Sequence, residues 1–175
     1  MKKIIFTLIA VFASISAIAQ TSLKYNGKFE LAGMAVSNKD ASGTGIAFHT
    51  IHGVDIKSKA FIGLGTGIDY SFSVEDVFIP AFLQGDIMIY DKTDLKPFAS
   101  LRIGGLFCTS RSSNIFNFNP SIGIRYSKFA LTVGYIHQYG VDKDDMSSPM
   151  GGQAQTVKSK YSYDGVTVGL IFSIH

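Results

Sequence analysis

Eight times along this chain, apolar and polar residues alternate with a period of two, and this repetition restricts the fold more than any other feature. Successive side chains of a β-strand point to opposite faces, so the pattern reads as strands with one apolar and one polar face. The segments run over about 25–36, 44–52, 59–72, 77–90, 97–107, 115–126, 128–139 and 162–174. In the first, Phe29, Leu31 and Ala35 oppose Lys28 and Glu30. In the fourth, Ile79, Leu83, Ile87 and Ile89 oppose Gln84 and Asp86. In the last, Val166, Val168, Leu170, Phe172 and Ile174 form an unbroken apolar row. No helical period of comparable length competes.

The N-terminus obeys a different rule. Met1-Lys2-Lys3 precedes an apolar run from Ile4 to Ile18, and Ala17-Ile18-Ala19 offers a small-x-small cleavage pattern before Gln20. A basic start, a short apolar stretch and small residues read as a secretory signal peptide over 1–19, leaving 20–175 as one domain. Lys2 and Lys3 leave with the leader, so the formal charge falls from +3 to +1. No concentrated basic patch remains to suggest a nucleic-acid partner. Cys108 is the single cysteine, so neither an internal disulfide nor a cysteine-cluster metal site is possible.

After Gln20 no stretch reaches the 18 or more apolar residues of a spanning helix. A closed barrel is the other structure that satisfies every backbone N–H and C=O inside hydrocarbon. The expectation is an all-β, eight-stranded antiparallel up-and-down transmembrane barrel. Its aliphatic rows should meet lipid. Lys28, Glu30, Asp69, Gln84, Asp86, Arg102, Asn117, Asn119 and Arg125 should line a narrow lumen among small residues such as Gly63, Gly65, Gly67, Gly104, Gly123 and Gly134. Tyr25, Tyr70, Tyr90, Phe98, Tyr126, Phe129, Tyr135 and Tyr163 lie near strand ends, where aromatic girdles form. A soluble periplasmic barrel holding an apolar ligand would turn the same strands inside out.

Three connections are short in this reading: Gly53 to Ser58, Asp91 to Lys96, and Ser127-Lys128. With a periplasmic N-terminus all three fall on the periplasmic side. Gly140 to Lys160 becomes the longest external loop and the expected contact for an extracellular or envelope partner.

The stretch Phe78-Ile79-Pro80-Ala81-Phe82-Leu83-Gln84-Gly85-Asp86, followed by Lys96-Pro97-Phe98-Ala99-Ser100-Leu101-Arg102-Ile103-Gly104, resembles the strand four to five hairpin of small outer-membrane β-barrel-domain proteins. That broad family has PorT-like and OmpX-like members. The resemblance implies an outer-membrane location, contact with outer-membrane lipid, and no cofactor. Many such barrels close on a terminal Phe, whereas this chain ends Phe172-Ser173-Ile174-His175.

The charged lumenal residues form the candidate site. Asp86 and Arg102 flank one turn and should sit at similar depth, with Glu30 reaching them across the lumen. Lys28 and Arg125 should lie nearer the periplasmic rim. A buried ion needs a partner, so the expectation is a salt-bridge network that closes the interior, with a gated ion pore as the alternative. A lipid-modifying enzyme would need a nucleophile, a base and an orienting acid. His137 with Ser147, Ser148 or Asp142 is the candidate set, but His137-Gln138-Tyr139-Gly140 lacks a hydroxyl two residues beyond the His that a lipid deacylase would carry. His49 and His52 face opposite ways on their strand and cannot share a metal. Gly63-Leu64-Gly65-Thr66-Gly67 has no following Lys or helix and reads as strand rather than phosphate loop.

Overall fold

The computed structural model describes residues 23–39, 41–57, 59–91, 93–110, 114–146 and 155–174, with the side chains of 114 and 141–159 excepted. Residues 1–22, with the expected leader, and 147–154, including Ser147 and Ser148, lie outside the described residues. Eight strands run in chain order: β1 Leu23–Ser37, β2 Ser42–Ile56, β3 Ala60–Ser71, β4 Asp76–Met88, β5 Leu95–Cys108, β6 Asn114–Tyr126, β7 Phe129–Met146 and β8 Gln155–Ile174. Each pairs antiparallel with its neighbours, and β8 pairs back onto β1 from Gly27↔Ile174 to Ser37↔Asp164. The result is a closed eight-stranded up-and-down barrel whose wall has no free edge.

The side-chain alternation is inverted relative to a soluble barrel. Leu31, Leu64, Ile87, Ile122 and Leu131 are more than half exposed, while Lys28, Glu30, His49, Asp86 and Arg102 are buried. This excludes the inside-out arrangement, which needs the charges in water. Outward on β8, the five apolar residues Val166, Val168, Leu170, Phe172 and Ile174 span nine strand positions, the length with which a tilted strand crosses a hydrocarbon layer. The fold is therefore that of a transmembrane-type barrel, with a greasy exterior and a polar core.

Backbone satisfaction holds even at proline. The ladder between β6 and β7 stops at Phe118↔His137 and resumes at Ser121↔Gly134, which sets Pro120 opposite Tyr135. Pro120 has no N–H to give. Asn119 Nδ2 donates to the Tyr135 carbonyl instead, at 2.7 Å. Apolar surroundings make such a replacement bond valuable, because an unpaired carbonyl there is costly.

Connections differ from expectation. β2 continues through Gly53 to Ile56, so its turn is only 57–59; the β4–β5 turn covers 89–94. Ser127 takes a φ of 53°, the left-handed setting that a two-residue hairpin turn requires. These three connections form one end of the barrel, here the turn end. At the other, the loop end, 38–41 and 72–75 are just as compact. The segment from Gly140 to Lys160 is not a long loop. β7 and β8 stay paired from Gly140↔Tyr161 to Met146↔Gln155. β6 ends against Val141 and β1 ends against Asp164, so the outer part of this hairpin stands beyond the wall as a two-stranded ribbon.

Candidate functional site

The inner row of each strand brings the charges into one chain of contacts. Near the loop end Asp69 Oδ1 meets His49 Nε2 at 2.6 Å, and His49 Nδ1 meets Glu30 Oε2 at 2.8 Å. The imidazole thus bridges carboxylates supplied by β1 and β3. Glu30 Oε2 also takes Arg102 Nη2 at 2.7 Å. Arg102 donates from Nη2 and Nε to Gln84 Oε1 at 2.9 and 3.3 Å, and Gln84 Nε2 donates to Asp86 Oδ1 at 2.9 Å. Asp86 then accepts from Ser100 Oγ at 2.7 Å and from Lys28 Nζ at 2.6 Å. Arg125 Nη2 approaches the same carboxylate at 3.6 Å.

One detail corrects the sequence reading. Arg102 does not pair with Asp86, because the register sets Arg102 opposite Gln84 and Asp86 opposite Ser100. Arg102 reaches across to Glu30, and Gln84 bridges the two ionic groups. Lys28 lies two positions nearer the turn end than Glu30, as expected, and is fully enclosed there: its side chain is 0% exposed, between Asp86 and the Phe61 ring.

Aromatic rings complete the arrangement, and the sequence reading had not assigned them this role. Lys28 Nζ lies 3.1 Å from the Phe61 centroid, Arg102 Cζ 4.4 Å from Phe82, and Arg125 Cζ 5.1 Å from Phe98. Each of these three cations thus has a carboxylate near it and a phenyl face beside it, and a ring face favours a charge that is withdrawn from water. Phe98 is fully buried and belongs to no girdle, and Tyr163 likewise faces an inner cavity. Tyr25, Tyr90, Tyr126, Phe129 and Tyr135 are exposed on the outer surface.

Glycines make room for these rings. A Cβ at Gly63 would stand 2.6 Å from the Phe61 ring, and one at Gly123 would stand 2.7 Å from Phe98. At Gly65 the clash with Phe82 would be closer still. Parity alone could have placed His49 inside, since Phe48 beside it points outward. Its two carboxylate partners come from different strands and have no local signature.

Outside the lumen, His137 Nδ1 lies 2.7 Å from Asp164 Oδ1, and the Tyr135 hydroxyl donates to the same oxygen. The carboxylate beside His137 is therefore supplied by β8, not by its own strand's continuation at Asp142. Among the described residues no group of three His, Cys, Asp or Glu could hold a metal ion.

An eight-stranded closed wall with lipid-compatible outer rows and an ionic interior defines the class of small transmembrane-type β-barrels. No protein-family model matches the chain, and no curated protein matches it either. Among solved structures, Neisserial surface protein A is similar, with a TM-score of 0.56 at 14% identity over 86% of this chain and 98% of that one. Outer membrane protein AlkL, determined by solid-state NMR in DMPC bilayers, has a TM-score of 0.49 at 12% identity over 86% and 89%. At such identities the likeness is one of fold: the chain shares the architecture of small outer-membrane barrels.

Proposed function

We propose that the protein is exported by its 1–19 leader, inserts in an outer membrane and acts as a structural or surface-interaction barrel without catalysis. The observation that carries this reading is the inversion itself. Leu64 is 68% exposed while Lys28, Gln84 and Asp86 are almost wholly enclosed. Water would expel the first and hydrate the others, whereas a bilayer favours both positions. The ribbon formed by β7 and β8 supplies a surface beyond the wall for a partner in the envelope or outside the cell.

Membrane fractionation with heat-modifiable gel mobility tests the placement. The folded protein is expected in the detergent-extracted fraction, migrating faster before boiling than after. A monodisperse species in plain buffer would overturn the reading.

The chain of contacts from Asp69 to Lys28 reads as a plug. Purified protein in planar bilayers should therefore show no steady conductance. Ohmic steps from the wild type would replace the plug with a pore, and loss of those steps in Arg102→Ala would assign the gate. One observation favours a second reading, a lipid-modifying enzyme: the His137–Asp164 pair supplies an imidazole oriented by a carboxylate on the lipid-facing surface. Mass spectrometry of lipid A from a deletion strain separates the two readings. An unchanged profile is expected.

A further inference from the structure

Charge is spread unevenly around the turn end of the wall. Lys24 lies at the start of β1, Lys57 and Lys59 in the β2–β3 turn, and Lys128 in the β6–β7 turn. All four are exposed, and none has an ion-pair partner among the described residues. They fall on one arc. The Ser173 amide donates to the Lys128 carbonyl at 2.8 Å, which sets that turn beside the end of β8. β8 pairs with β1 and β1 with β2, so the arc runs from the β6–β7 turn through β8 and β1 to β3.

Among the described residues the carboxylate on this arc is Asp55, half-buried and accepting from the Asn26 amide at 2.8 Å. Asp91 and Asp94 lie across the barrel in the β4–β5 turn, with Lys96 beside them. Lys28, Arg125 and Asp86 belong to the lumen. At the loop end Lys39 and Lys160 share the rim with Glu75, Asp76 and Asp164, so no such excess of lysine is found there.

The four lysines border lipid-facing rows. Leu23 and Tyr25 on β1, Phe129 on β7 and Ile174 on β8 are exposed on the outer surface next to them. Polar atoms also reach that surface toward this end. The Tyr25 hydroxyl and His52 Nδ1 lie 2.6 Å apart, and Thr50 Oγ1 lies 2.9 Å from His52 Nε2. An aromatic body with a polar tip suits the level where hydrocarbon gives way to headgroups. A lysine stem covers apolar surface there and keeps its ammonium group beyond it. An anionic leaflet attracts such charges within about a Debye length of its surface.

We propose that this arc binds the phosphate headgroups of anionic phospholipids in the leaflet around the turn end. The connections here are short, and the lysines follow the curve of the wall. They therefore meet a surface that surrounds the barrel more readily than one that caps it. The headgroup contact rests on the membrane placement proposed above and adds to it a lipid class and a side.

Spin-labelled lipids report what surrounds the wall. The full barrel in phosphatidylcholine bilayers receives phosphatidylglycerol or phosphatidylcholine, each labelled near the end of one acyl chain. The motionally restricted fraction of the spectrum gives the relative association of each. Phosphatidylglycerol should be preferred by at least about twofold at low salt, and the preference should vanish at about 1 M NaCl. Lys24→Gln/Lys57→Gln/Lys59→Gln/Lys128→Gln should abolish it at low salt, whereas Lys39→Gln/Lys160→Gln should keep it. Heat-modifiable mobility checks that each variant folds, and the wild-type comparison stands without any variant. Equal association of the two lipids with the wild type, or a preference that survives the fourfold replacement, would overturn the headgroup contact. No restricted fraction with either lipid would overturn the membrane placement itself, and the contact with it.

Discussion

One wall encloses two different interiors. From the middle of the barrel to the turn end the lumen is filled with ion pairs and phenyl rings; at the loop end the same strands leave a cavity. Small residues line both regions. In the filled part, Gly63, Gly65 and Gly123 stand directly against Phe61, Phe82 and Phe98. At the mouth, Ser42, Gly43, Thr44, Ser71 and Ser73 border open space. A small residue in the lumen therefore packs closely where a ring stands against it, from the facing strand as at Gly65 and Gly123 or from two residues away on its own strand as at Gly63. Elsewhere the same residue leaves open space.

The largest expected effect separates the regions by charge. Arg102→Ala removes the group that joins Glu30 to Gln84 and strips Phe82 of its cation. Breaking a buried ionic network by deleting one partner costs about 3–5 kcal/mol. Denaturant unfolding in detergent, followed by gel mobility, should show a loss of that size. A loss below about 1 kcal/mol would mean that the plug is hydrated and that the two interiors differ less than described.

The next comparison uses one substitution at two places. Gly65→Ala puts a methyl group into the Phe82 ring and should cost about 1–3 kcal/mol, the range for overfilling a packed interior. Gly43→Ala meets only ordinary contacts and should change stability by less than about 0.5 kcal/mol. The same unfolding assay measures both. Equal effects would show that the mouth is as tightly filled as the middle.

Much of this was legible from alternation. The outer rows on β1, β4 and β8 and the inner positions of Lys28, Glu30, Asp86, Arg102 and Arg125 follow from parity, because a strand has only two faces. Parity does not say which inner residues meet across the lumen. That depends on strand tilt and stagger, which are properties of the closed barrel rather than of any segment. Closeness in sequence thus groups Arg102 with Asp86 as well as with Glu30, whereas the register gives it Gln84 beside it and, of the two carboxylates, only Glu30 across the lumen. The same blindness hid the Phe82 stack and the two carboxylates around His49. Phe98 was misplaced for a different reason. Aromatic residues near strand ends suit a girdle, but Gly123 opposite it opens a slot on the inner side.

The smallest expected effect concerns the ribbon, which contrasts with both interiors by having no interior at all. Beyond Val141 the β7 strand has lost β6, and before Asp164 the β8 strand has lost β1. Pairing between two strands alone contributes little in water. Val141 and Lys160 face each other across the hairpin, so an Asn-Gly pair can join them in a tight turn that replaces 142–159. The shortened barrel should keep its heat-modifiable mobility and unfold within about 0.5 kcal/mol of the full chain, since the closed wall is untouched. Contact with any surface partner should be lost, read as disappearance of cross-linked products on whole cells. A barrel that fails to close after this exchange would show that the ribbon helps to assemble the wall, and would move its role from surface interaction to folding.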